Sequence, residues 1–197
     1  MRTSVTFRPD RSRILFLAAI LTAVSLGAAQ AEVTTYTTTL NGAIEAPPNA
    51  SPGVGTVTVE VDDLAQTMRV QAEFFDLMGP TTAAHIHAPT TMPGTGTAGV
   101  ATTTPTFVGF PLGVTSGSYD HTLDLTLAGS FSASFLAANG NTPAGASAAL
   151  LQSLAAGTAY FNLHSSNFPG GEIRGFLQPA AVPAGPASWG QVKTLFR

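Results

Sequence analysis

Cysteine is missing altogether from the 197 residues, which excludes disulfides, thiolate metal sites and cysteine nucleophiles. Charge is also scarce: Asp, Glu, Lys and Arg make up 10% of the chain, with only eight Lys and Arg in all. Four of those eight, Arg2, Arg8, Arg11 and Arg13, lie near the N-terminus, before Ile14. The chain beyond residue 31 therefore keeps four basic residues against ten acids, a formal charge of −6. Such a balance excludes a nucleic-acid binder that works through a basic face. Long apolar runs are lacking too, apart from one at Ile14 to Ala29 that spans 16 residues and is interrupted by Thr22 and Ser25. That is short of the roughly 20 residues a membrane-spanning helix needs. With four arginines before it and Ala29-Gln30-Ala31 after it, the run reads as a cleaved signal peptide, residues 1–31. The expectation is an exported protein, periplasmic or extracellular, with no membrane span in its mature chain.

What is present is a chain 44% hydrophobic with 20 Gly and 14 Pro, too apolar for a disordered polymer and too rich in turn formers for a helical bundle. Period-two alternation, the mark of a strand with one buried face, recurs throughout. Val57, Val59 and Val61 alternate with Thr56, Thr58 and Glu60, and Met68, Val70, Ala72 and Phe74 with Arg69, Gln71 and Glu73. Leu123, Leu125 and Leu127 form another set, Phe131, Ala133 and Phe135 a fourth, and Ala159, Phe161 and Leu163 a fifth. Further strands are expected near 33–40, 83–88, 97–103 and 172–178. The fold class that follows is all-β, a Greek-key sandwich or barrel of about eight strands. One short crossover helix is expected over Ala144–Ala156, where Leu150, Leu151 and Leu154 take helical spacing and Gly157 stands ready to end it. The domain would occupy 32–178, followed over 179–197 by a Pro/Ala linker and a tail holding the lone tryptophan, Trp189.

Gly94-Thr-Gly-Thr-Ala-Gly99 has the glycine spacing of a dinucleotide-binding turn, but no helical pattern follows it, so no such site is assigned. Asn49-Ala-Ser51 matches a glycosylation acceptor and is given no weight. Histidine carries more information. Of four, two stand in Ala84-His85-Ile86-His87 and a third is His164. On a strand, His85 and His87 share a face while Ile86 points to the core, and His164 shares its parity with Tyr160 and Asn162, opposite to Phe161 and Leu163. Two imidazoles on one strand and one on another suit copper or zinc. Taken singly, each histidine reads as a polar residue on a solvated face; only the H-x-H pair together with a third outward histidine brings the metal reading level with that one. His121 shares parity with Leu123 and is expected to point inward at the rim, with a hydrogen-bond partner. Glu172 and Arg174, flanking Ile173, read as an ion pair on an outer face, with two alternatives: Arg174 attracts an anion, or the pair supports the histidines from behind.

Three segments, Leu40–Pro48, Thr82–Pro89 and Ala159–Gly175 (AYFNLHSSNFPGGEIRG), resemble the hallmark blocks of the CHRD domain, named after chordin. Ala88 stands where that family commonly has glycine. The resemblance implies an all-β exported domain, and the function expected is a binding module for a metal ion or for an extracellular partner of unknown identity. A second similarity is to copper/zinc superoxide dismutase. It likens His85 and His87 to a pair of copper ligands on one strand, His164 to a later ligand and Arg174 to an anion guide. No counterpart of that family's zinc loop exists here, so it implies at most a copper-only site.

Overall fold

In the computed structural model the described residues are Met1 and 33–181; the leader expected over 1–31, apart from Met1, and the part of the expected linker and tail from 182 onward lie outside them. Where β-branched and polar residues alternate, the chain forms strands: β1 (Val33–Asn41), β2 (Val54–Asp62), β3 (Thr67–Phe75), β4 (Thr81–His87) and β5 (Gly117–Asp124). After two helices come β6 (Tyr160–Ser165), β7 (Ile173–Phe176) and the two-residue β8 (Gln178–Pro179). All pair antiparallel in one curled sheet of order β4-β6-β7-β1-β2-β3-β5, with β8 alongside β1. The alternation sets the register: Val57 faces Ala72 and Val59 faces Val70, so each valine row of β2 meets an apolar row of β3 on the inner face.

Curling brings that inner face round on itself. Val59, Val70, Phe74, Ile86, Phe107, Phe161, Leu163 and Ile173 are all fully buried in one core. β4 and β5, at opposite ends of the strand order, are joined by a segment that runs back along the free edge of β4. Its backbone bonds include Phe107 N–H to the Ala84 carbonyl (3.1 Å) and Thr81 N–H to that of Val114 (2.8 Å). Edge groups of β4, the Ala84 carbonyl and the Thr81 amide among them, are thereby satisfied without a further strand.

Four expectations are corrected. The segment 130–135 is not a strand: a 3-10 turn at Ala128–Ser130 leads into a helix, α1 (Ala133–Ala138). Ser132 caps it by accepting from Phe135 N–H, and Phe131 and Phe135, four apart, both turn to the core and stack with centroids 6.5 Å apart. The apolar spacing there fits either period, and the serine cap decides. The sheet thus carries two helices rather than one, the second being α2 (Pro143–Ala155), which ends as expected at Gly157 with φ +67°. Leu127 is 57% exposed, because Asp124 ends β5 by accepting from Thr126 N–H and Oγ1 and so turns the chain away. Residues 97–103 form only isolated bridges, His87 to Val100 and Thr102 to Phe131, since Thr102 spends its hydroxyl on Ile86 N–H instead of continuing a ladder. His121 keeps the inner-face parity, opposite Val70, but is exposed, since β5 is the last strand of the order.

Candidate metal centre

β4, β6 and β7 lie side by side, and their outer faces hold the residues of interest. Register places His85 opposite Asn162 and Asn162 opposite Arg174; one row along, His87 is opposite Tyr160 and Tyr160 opposite Phe176. His164 follows Asn162 on the same face of β6, beside Ala83 of β4. On an open sheet these would be solvated side chains. Here His85 and His87 are only 6% and 8% exposed, and His164 is half-buried. The cover is irregular chain from 92–106, the turn at 42–46 and the 166–171 turn, which supply the carbonyls that meet these side chains.

Each imidazole is held by one ring nitrogen. His85 Nε2 meets the Pro105 carbonyl, His87 Nδ1 that of Ala98 (2.9 Å) and His164 Nδ1 that of Pro169 (3.0 Å). A carbonyl only accepts, so each of these nitrogens carries the proton and donates it, and the tautomer of each ring is thereby set. The opposite nitrogens, His85 Nδ1, His87 Nε2 and His164 Nε2, are buried with no hydrogen-bond partner among the described residues. Ligand atoms of the three residues lie within 4.8 Å of one another, close enough for small ring rotations to bring them to one ion at about 2.0–2.1 Å. The three rings also contact one another edge-on or tilted, with centroids 5.3 to 6.0 Å apart.

Burial holds all three imidazoles neutral at neutral pH. It lowers the pKa of His85 and His164, and that of His87 down to about 4, outweighing the backbone bonds that favour the protonated rings. Neighbouring imidazoles add to the lowering at His85 and His87. Each ring of the cluster keeps one lone pair, unprotonated and unsatisfied, in a place where an unpaired polar atom is costly.

His87 is braced further. Tyr160 stacks on it in parallel, centroids 4.8 Å apart and planes within 7°, and the Tyr160 hydroxyl bonds Ala98, the residue whose carbonyl holds His87. Arg174 lies across the other side of Tyr160, its guanidinium carbon 4.9 Å from the ring centroid and 5.6 Å from that of Phe176. The Arg174 Nε–H donates to the Ile44 carbonyl (2.6 Å) and its NH1 to that of Gly96 (3.0 Å), pinning both covering segments.

Arg174 and Glu172 are not bonded to each other. The carboxylate nearest Arg174 is that of Glu45, 3.7 Å from Nε, and both partners are almost wholly buried. Glu172 is fully buried on its own, accepting from Ser51 Oγ (2.6 Å) and from Met78 N–H (2.5 Å), while Asn49 Nδ2 donates to its backbone carbonyl (3.0 Å). It ties the loop before β2 to the loop before β4. Sequence reasoning brought out the three histidines but missed Glu45, Tyr160 and Asn162 as their neighbours. The shared parity of 160, 162 and 164 was a signal for two of them; Glu45 comes from 40 residues upstream of His85 and left none.

A family model described as the CHRD domain matches residues 36–177, which includes every side chain of this centre. No curated protein matches the chain, and no solved structure does. Among the described residues no helix is long and apolar enough to cross a membrane.

Proposed function

Since the chain belongs to the CHRD-domain family, we propose that it is an exported binding module whose working part is a copper or zinc ion held by His85, His87 and His164. The observation that carries this reading is the clustering of three histidines whose ligand atoms lie within 4.8 Å of one another, each ring with one buried nitrogen unpartnered and the other held by a carbonyl. Backbone carbonyls that accept from the N–H opposite the ligating nitrogen are a usual outer support of metal-ligating imidazoles, because they orient the ring and raise its basicity. Imidazole-only ligation favours copper or zinc over magnesium or calcium, which take oxygen ligands. Export is supported by the leader-like sequence of 1–31, and a site of this kind would meet its ion outside the cytoplasm.

Arg174 fits this reading as a support for His87 through Tyr160 and through the carbonyl of Gly96, and Glu172 as an anchor for the loops beneath. The rival reading is a copper-dependent dismutase. It asks for a cation free to guide an anion, whereas Arg174 is 4% exposed and engaged at Nε and NH1. Calorimetric titration with copper(II) and zinc(II) at neutral pH tests the proposal: one equivalent is expected to bind the parent. Loss of binding in His85→Ala, His87→Ala and His164→Ala, but not in His121→Ala, is the expected pattern. Equal binding by His85→Ala and the parent would overturn it.

A further inference from the structure

The unpartnered buried polar atoms do not end at the histidines. Six buried side-chain atoms have no hydrogen-bond partner among the described residues; three are the ring nitrogens, and two others are Asn162 Oδ1 and Glu45 Oε1. Asn162 is 3% exposed and Glu45 6%. Asn162 sits at the middle of the outer face, with His85 across from it on β4, Arg174 across on β7 and His164 two residues along. Behind it, Gly171 takes φ +131°, a conformation side chains other than glycine rarely adopt. A Cβ there would stand 2.7 Å from Asn162 Oδ1 and Nδ2 and 2.7 Å from Glu45 Oε1. The Asn162 amide and the Glu45 carboxyl thus both pack against this glycine, which places the two side chains next to each other. Two unsatisfied acceptors, one of them on the residue opposite His85, beside three unsatisfied ring nitrogens call for a small ligand that brings protons.

We infer that an ion held by the three histidines keeps a water as a further ligand on its Asn162 side, with Asn162 Oδ1 and Glu45 Oε1 accepting from that water's network. This rests on the metal reading above and adds to it the identity of the next ligand and of the residues that hold it. Three protein ligands and a water is the arrangement of a site with an exchangeable position, in contrast to a closed four-residue cage. Arg174, 3.7 Å from Glu45 on its other oxygen, leaves Oε1 free for this role.

Copper(II)-loaded full-length protein provides the test, by pulsed EPR in H₂O and D₂O together with the affinity of each variant. The parent is expected to show coupling to an exchangeable water proton. Asn162→Leu, close in volume but with no acceptor, should lose that coupling and bind copper(II) about 10-fold more weakly, the scale at which outer residues tune a metal site. Glu45→Gln, which keeps the shape, should weaken binding by a similar factor. Asn162→Asp, also of unchanged shape, should bind more tightly than the parent and keep the water coupling, because a carboxylate accepting from the bound water adds a negative charge next to the ion. A parent that binds copper without an exchangeable-proton coupling, or variants that bind within twofold of it with the coupling unchanged, would overturn this inference and leave the three-histidine site standing. A parent that takes up no ion would remove both.

Discussion

At the scale of single residues, burial of ionisable groups without full compensation sets the pH behaviour. His87 has its pKa lowered to about 4 in the folded chain, against about 6.5 when unfolded. The unfolded state therefore binds the proton more readily, and the contribution of His87 to stability is fully present above about pH 6.5 and lost as pH falls toward 4. Glu45 runs the other way: burial raises its pKa to about 7, only partly opposed by Arg174, so its contribution is present at low pH and lost as pH rises from about 4.5 through 7. The two slopes oppose each other between about pH 4.5 and 6.5. Replacing Glu45 by Gln removes one of them, so the metal-free variant should lose stability on acidification through that window more steeply than the parent. Thermal melts of both proteins across pH 4 to 7.5 check this; parallel curves would show that Glu45 does not titrate there. Copper or zinc at saturating concentration should raise the melting temperature of the parent at pH 7, since an ion bound only by the folded chain stabilises it by mass action.

Elements add their own energies, and two deserve measurement because they lie where the two periodicities compete. Ser132 accepts from Phe135 N–H at the start of α1 and donates its hydroxyl to the Val100 carbonyl, so one side chain both caps a helix and ties it to the segment beside β4. Ser132→Ala is expected to cost about 1–2 kcal/mol, the upper part of the range for a lost cap. Urea denaturation should show it; a loss of a few tenths would mean that the cap contributes little. Leu125 is 2% exposed just past the end of β5, held there by its N–H to the Gln66 carbonyl. Leu125→Ala should cost about 2–5 kcal/mol as the core fails to close over the deleted atoms. The strands β2 and β3 were readable because each buries one face and exposes the other over nine residues. α1 was not readable: Phe131 and Phe135 fit both a period of two and a helical turn, and the choice belonged to a serine hydroxyl whose partner is a backbone amide.

For the molecule as a whole, charge is where the module and enzyme readings make different predictions. Arg69 and Arg174 are the only cations between residues 32 and 188. Arg69 is paired with Asp120 at 2.6 Å and Glu60 at 3.3 Å on the outer face of β3, and Arg174 is buried under Gly96 and Ile44. Neither projects a positive field that would draw an anion to the histidines. Copper-loaded protein should therefore remove superoxide far more slowly than the diffusional ceiling of roughly 10⁸–10⁹ M⁻¹s⁻¹. Pulse radiolysis gives that rate directly, and a value near the ceiling would favour the dismutase reading.

Sequence alone determined the all-β class, the inner faces of β2, β3, β4 and β6, the second helix with its glycine stop, and the three histidines as a set. These are local properties: alternation of period two, helix formers in a row, and parity along one strand. Tertiary structure decided everything that turns three outward histidines into a centre. Parity places His85, His87 and His164 on outer faces, where an open sheet would solvate them. Only the pairing of β4 with β6, between strands about 75 residues apart in the chain, sets the rings in contact. Coverage by irregular segments was equally invisible, because the carbonyls of Ala98, Pro105 and Pro169 belong to backbone that any residue could supply. The same holds for Glu45, whose side chain reaches Arg174 across 129 positions of sequence. Such contacts depend on how far the sheet curls and where its loops fall back, and a single strand's pattern carries no information about either.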